Sequence, residues 1–192
     1  MLGAIGAKVA NAAVALGMSV IGYDPFVTEK EGVEVVADVA EIYKRSDYIS
    51  LHSPLNDSTR GMINAETLAT MKDGVRIINL ARADLVNATD VKAALESGKV
   101  SAYVTDFPTE DILGVKGVVA IPHLGASTEE SEDNCAVMAA VELDNYLRYG
   151  NIKNSVNFPN VEMPMSNGIR VCVLHANVPA IISQVTTILS EV

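Results

Sequence analysis

Three stretches of this 192-residue chain carry side chains able to do acid–base chemistry on a small anionic molecule. They are INLARADLVN with Arg82, VTDFPTED with Asp106 and Glu110, and IPHLGASTEE with His123. A guanidinium is a planar fork that grips a carboxylate at two points, where lysine offers only a point charge. An imidazole titrates near neutrality, so it can take a proton from a hydroxyl and return it in the reverse direction. A neighbouring carboxylate can hold that imidazole in one tautomer. Each residue also has a plain structural reading: a turn histidine after Pro122, a surface arginine, a solvated acidic patch. What separates the two readings is whether all three stretches lie on loops at the carboxyl ends of strands in one parallel sheet, where ligands bind in such folds.

The elements that must position them follow a regular alternation. Short apolar, β-branched runs at 19–23, 33–36, 48–51, 75–79, 101–105 and 118–121 alternate with helical patterns at 4–16, 39–45, 65–71 and 89–96. That alternation predicts an α/β fold, a doubly wound parallel sheet covered by helices on both faces. The longest helix should begin in GASTEESEDN, where Ser127 and Glu130 have capping-box spacing, and end at Gly150 after about six turns. Ala136, Ala140, Leu143 and Leu147 form one stripe on it, and Met138, Val141 and Tyr149 add apolar surface elsewhere. Such a helix needs two partners, its own sheet and a second domain or subunit, so a homo-oligomer is expected. Residues 151–167 hold two prolines and five asparagines without a period and read as a linker. Beyond them GIRVCVLHANVPAIISQVTTILSEV reads as one strand, a turn at 177–179 and one helix, too little to enclose a core.

The opening, MLGAIGAKVANAAVALGMSVIGYDP, places Gly3 and Gly6 in the second and third glycine positions of a Gly-x-Gly-x-x-Gly loop, with Ala4 and Ile5 between them. In such a loop the second glycine lets a pyrophosphate approach the backbone, the third lets helix meet strand, and the helix N-terminus holds the phosphate charge. Asp24 stands 18 residues after Gly6, at the end of the next strand, where a carboxylate accepts the adenine ribose hydroxyls and disfavours a 2′-phosphate. The expected cofactor is therefore NAD. Glycines used only for packing, and an Asp24-Pro25 turn, are the competing readings.

Composition removes other classes. A formal charge of −10 without a basic cluster argues against nucleic-acid binding. No run approaches the roughly 18 apolar residues of a membrane span. Cys135 and Cys172 have no partner spacing and read as buried thiols in a reducing compartment, hence a cytoplasmic location.

Together the loop, Asp24 and the three stretches resemble the D-isomer-specific 2-hydroxyacid dehydrogenases, over residues 2 to about 150, with PHLGASTEE the most specific part. Among them the chain is most similar to the enzymes that oxidise 3-phosphoglycerate with NAD. The resemblance implies Arg82 for the carboxylate and carbonyl of a small hydroxyacid substrate, His123 as acid and base, and Glu110 as the partner of that histidine. It implies that Asp106 meets the nicotinamide amide, with Pro54, Leu80, Ala81, Arg82, His123 and Gly125 also lining the cofactor. Ala83 and Asp84 stand where the family has two glycines, so Asp84 is positioned to pair with Arg82 and weaken its grip. The step from Asp106 to Glu110 is one residue shorter than the common form.

The tail resembles the first strand and helix of an ACT domain, which implies an effector site at His175 and Asn177; Pro179-Ala180 replaces the usual Pro-Gly. The expected organisation is an NAD-binding domain over 1–150 that lacks its first strand, a linker over 151–168 and part of an ACT-like domain over 169–192. The absent strand belongs between those at 19–23 and 48–51, so these must close the gap or borrow an edge from another chain. The expected activity is an NAD-dependent oxidation that the isolated chain does not perform. The alternatives are a non-catalytic NAD-binding or subunit-pairing module, and a related dehydrogenase with another substrate.

Overall fold

Every expected strand and helix of the first 123 residues is present, with ends displaced by at most one residue. The computed structural model describes residues 1–164 and 168–191. The order is α1 (Ala4–Ala15), β1 (Val20–Gly22), β2 (Val33–Val35), α2 (Val39–Arg45), β3 (Tyr48–Leu51), α3 (Ala65–Thr70), β4 (Val75–Asn79), a 3-10 turn (Ala83–Leu85), α4 (Ala88–Glu96), β5 (Val100–Thr105) and β6 (Val118–Ala120). Short polar side chains start the helices by accepting otherwise unpaired N–H groups. Asp38 accepts from Ala40 at 2.8 Å, Asn64 from Glu66 and Thr67, and Asn87 from Asp90.

All strand pairs are parallel, as continuous apolar strands joined by helices require. Strands β3, β4, β5 and β6 form one sheet in that order. Its core includes Ile63, Ile77, Leu85 and Val91, each 0% exposed. One lateral row of this sheet, Leu51, Asn79, Thr105 and Ala120, marks its carboxyl edge.

Strands β1 and β2 form a separate two-stranded sheet. Between β1 and β3 lies a groove of about 690 Å³. The strands on either side of the expected gap therefore have not closed it.

The chain divides into two compact units, Met1–His123 and Leu124–Val192, so the long helix groups with the tail, whereas the sequence placed it with the first domain. In the second unit α5 (Glu129–Tyr149) is capped by Thr128, which accepts from Ser131 N at 3.2 Å, and not by Ser127 as the capping-box spacing suggested. Gly150 ends it at φ +65, as expected. No residue of α5 is buried. The expected linker is partly ordered: Ile152 and Val161 exchange backbone hydrogen bonds of 2.8 and 2.9 Å, while 165–167 lie outside the described residues.

The expected strand in 168–176 does not form, because no strand among the described residues is there to pair with it. A turn at Pro179 and Ala180 leads into α6 (Ile181–Ser190). Ala180 sits at φ +64, in the left-handed region where glycine is favoured. Cys135 and Cys172 are exposed rather than buried, since the described part of this unit encloses no core.

Candidate active site

The parallel register delivers the sequence-predicted residues to one edge of the first unit. Beyond Leu51 come His52 and Pro54, beyond Asn79 come Leu80, Ala81 and Arg82, beyond Thr105 comes Asp106, and beyond Ala120 comes His123. Neighbouring strands are about 4.8 Å apart, so the Arg82 and His123 loops leave the sheet roughly 10 Å from each other.

At that edge His123 Nδ1 lies 2.8 Å from Asp106 Oδ2. The carboxylate therefore selects the tautomer with Nδ1 protonated and leaves Nε2 for a ligand. Phe107 packs on the same imidazole, ring centroids 4.4 Å apart. Asp106 has only 10% of its side chain exposed against 52% for His123, so the acid is held inside and the imidazole faces out. The second oxygen, Oδ1, is buried without a partner among the described residues. The resemblance assigned the orienting role to Glu110, but Glu110 is exposed and makes no hydrogen bond or ion pair among the described residues. The shortened step from Asp106 to Glu110 accompanies this change of partner.

Arg82 is exposed and donates to Ala81 O at 2.7 Å. The expected pairing with Asp84 does not occur, because Asp84 takes Arg60 instead. Among the described residues no carboxylate engages Arg82, so its fork can receive an anion. Its loop is held by Asn79, which is fully buried, donates from Nδ2 to Arg82 O at 2.9 Å and accepts from Ala81 N at 3.2 Å. Asn79 was not among the sequence candidates. The signal was present, since an amide ending the strand-like run VRII, on the buried side of its alternation, must find partners.

The segment from Gly3 to Gly6 leaves the start of α1 open. Gly3 precedes α1 with no side-chain cap and no acid in the first turn, so the N–H groups of Ala4, Ile5 and Gly6 keep their positive end available. Open space lies over Gly3, while a Cβ on Gly6 would sit 2.0 Å from Met1 O. Gly3 thus leaves its surroundings open, whereas Gly6 is held to glycine by backbone contact.

Asp24 is buried and already accepts from Leu2 N at 2.7 Å and Phe26 N at 2.9 Å. Burial opposes its charge, but these bonds, the Met1 ammonium and a further bond from Val27 outweigh that and hold the carboxyl below its usual range. Its lone pairs are shared with the Leu2–Gly3 loop, so it shapes that loop. Gly125 is exposed just past the boundary between the units. In the second unit His175 Nδ1 donates to Ala176 O at 2.9 Å, and Asn177 is exposed ahead of α6.

A parallel sheet, an uncapped glycine-bearing helix start and a histidine–carboxylate pair at the carboxyl edge define a nucleotide-linked oxidoreductase domain. Residues 2–125 match the family described as D-isomer specific 2-hydroxyacid dehydrogenase, NAD binding domain, and the chain belongs to that family, with NAD as its cofactor. It is 40% identical over 170 residues to a D-3-phosphoglycerate dehydrogenase of Methanocaldococcus jannaschii, which covers 83% of this chain and 32% of the relative. It is 43% identical over 139 residues to a hydroxypyruvate reductase of Thermotoga maritima, covering 68% of this chain and 45% of the relative. The chain thus spans less than half the length of these relatives. Its structure is similar, at a TM-score of 0.74 and 27% identity, to the NAD-complexed D-isomer specific 2-hydroxyacid dehydrogenase of Lactobacillus delbrueckii ssp. bulgaricus, covering 82% of this chain and 54% of that one.

Proposed function

We propose that the chain supplies the NAD-binding and catalytic-loop part of an enzyme that oxidises 3-phosphoglycerate to 3-phosphohydroxypyruvate, the entry to serine biosynthesis. The observation that carries this reading is the His123–Asp106 pair on the same sheet edge as the loop of Arg82. Arg82 holds the substrate carboxylate and polarises the reacting oxygen. His123 takes the hydroxyl proton at Nε2 while its other nitrogen stays bonded to an acid. Bound NAD supplies the acceptor for the substrate hydride. The N–H groups at Gly3 to Gly6 hold the pyrophosphate, Asp24 faces the ribose, and Pro54, Leu80, Ala81, Asp106 and Gly125 line the remainder.

Residues 1–150 form the cofactor-binding domain in this reading, 151–168 the linker and 169–192 an ACT-like segment with His175 and Asn177 at its effector site. The assembled protein is a cytoplasmic homo-oligomer in this reading.

NADH fluorescence tests the cofactor half of the proposal. Saturable enhancement by the isolated chain is expected, and a flat titration up to millimolar cofactor would overturn it. No 3-phosphoglycerate-dependent NADH should form with this chain alone, and turnover above the enzyme-free rate would sink that part.

The hydroxypyruvate reductase relative favours a second substrate, hydroxypyruvate. With NADH present, 3-phosphohydroxypyruvate and hydroxypyruvate can be compared by their shifts of the His123 ring resonances. A response to hydroxypyruvate alone would select the second reading.

A further inference from the structure

Asp84 puts a negative charge two residues after Arg82. Their Cα atoms are then at most about 7.6 Å apart, within the reach of an arginine side chain. A guanidinium taken by its own neighbour is closed to an outside carboxylate, which would have to displace the internal one.

The structure gives Asp84 to a second arginine. Arg60 Nη1 donates to Asp84 Oδ2, while Arg82 Nη1 donates to the backbone at Ala81 O. Backbone register explains the choice. Gly61 N donates to Asp84 O at 2.8 Å, Ile63 N to Leu85 O at 3.0 Å and Asn87 N to Ile63 O at 2.8 Å, so the two segments run side by side. The turn that delivers Arg60 is also held: its N–H donates to Asn56 O at 2.9 Å, and Thr59 Oγ1 donates to Pro54 O at 2.6 Å.

Arg60 therefore stands opposite Asp84 before its side chain is ordered, and only the side chain loses freedom on pairing. Both partners are more than half exposed, so the pair contributes little to overall stability. Its consequence is local. A carboxylate already neutralised by one guanidinium is a poor partner for the next, and Arg82 keeps its fork open.

We propose that Arg60 is a positioning residue: by holding the Asp84 carboxylate, it leaves the Arg82 guanidinium open to the carboxylate of a small 2-oxo or 2-hydroxy acid. The proposal rests on the reading of Arg82 as the group that holds the substrate.

The test follows the arginine Nε–Hε resonances of the full chain, first without ligand and then with NADH and oxamate, a carboxylate that resembles a 2-oxoacid and accepts no hydride. In Arg60→Gln the freed Asp84 is expected to move the Arg82 signal and to weaken oxamate binding about two- to fivefold, the range of an exposed ion pair. Asp84→Asn should leave both close to wild type, and the double variant Arg60→Gln, Asp84→Asn should recover both. That asymmetry separates capture from a field effect, in which loss of the negative charge helps as much as loss of the positive charge harms.

An unmoved Arg82 signal in Arg60→Gln would overturn the proposal. A gain in Asp84→Asn equal to the loss in Arg60→Gln would do the same, because two independent charges would then account for the result. A double variant no better than Arg60→Gln, whether in folding, signal or affinity, would show that Arg60 acts by some route other than Asp84. An Arg82 signal that moves and recovers, with no oxamate response even in the wild-type chain, would support the capture of Asp84 and sink the substrate reading instead.

Discussion

The two halves of the first unit are built from the same kind of sequence and end in different states. From β3 to β6 each strand has neighbours, and Ile63, Ile77 and Val91 are completely buried. In α1, by contrast, Ile5 is 69% exposed, Val9 41% and Val14 37%, and only Gly6 and Ala10 are buried. In β1 the apolar Val20 and Ile21 are only half-buried, whereas Val75 and Ile77 of β4 are buried. Apolar patterning creates the tendency to be buried, and the neighbouring layer decides whether burial happens.

The sharpest way to break this contrast is to truncate both halves. Ile77→Ala should cost about 2 to 5 kcal/mol by urea unfolding, because a filled core loses contacts and gains a cavity. Val9→Ala should cost under about 1 kcal/mol, since little surface is returned to water. Equal costs would show that the N-terminal half is as well packed as the other.

Asn79→Ala probes how the better-packed half holds the site. Losing both bonds to the 80–82 loop should cost about 1 to 3 kcal/mol and weaken NADH binding as Leu80 and Ala81 lose their anchor. Unchanged stability and affinity would show that the loop is held by something else.

Acid should destabilise the first unit through His52, which follows β3. Burial, and then the nearby Met1 amino group, lower the pKa of His52 from its ordinary 6.5. As the pH falls below about 6.5 the unfolded chain therefore takes up the proton before the folded one, and stability falls until the folded pKa is passed. Asp24, also lowered, adds a loss only below its ordinary 3.8. Urea midpoints measured from pH 7.5 to 5 should decline, and His52→Gln should flatten the slope. An unchanged slope in that variant would remove His52 from the account.

The smallest effect belongs to the second unit. Ala180→Gly relieves a left-handed alanine and should stabilise the start of α6 by about 1 kcal/mol, read as slower amide exchange in Ile181–Ser190. Faster exchange would mean that the methyl group contributes contacts there.

Local chemistry alone announced much of this protein. The alternation of periods located each strand and helix of the first unit, and the Gly3–Gly6 spacing marked the uncapped start of α1, because these signals depend on residues a few positions apart. The acid that orients His123 was not legible in the same way. Asp106 and Glu110 are both carboxylates close in the chain, and only the turn after β5 decided that the nearer one meets the imidazole. Asp84 likewise stood two residues from Arg82 and turned to Arg60, from another loop. Burial of the cysteines failed as an expectation because it depends on layers that the described part of the second unit does not provide. Sequence by itself determined which elements form and which side chains can do chemistry, since propensity, capping and charge act over a few residues. Tertiary structure decided which of those side chains pair and which apolar faces are covered, since both require surfaces brought together from distant parts of the chain.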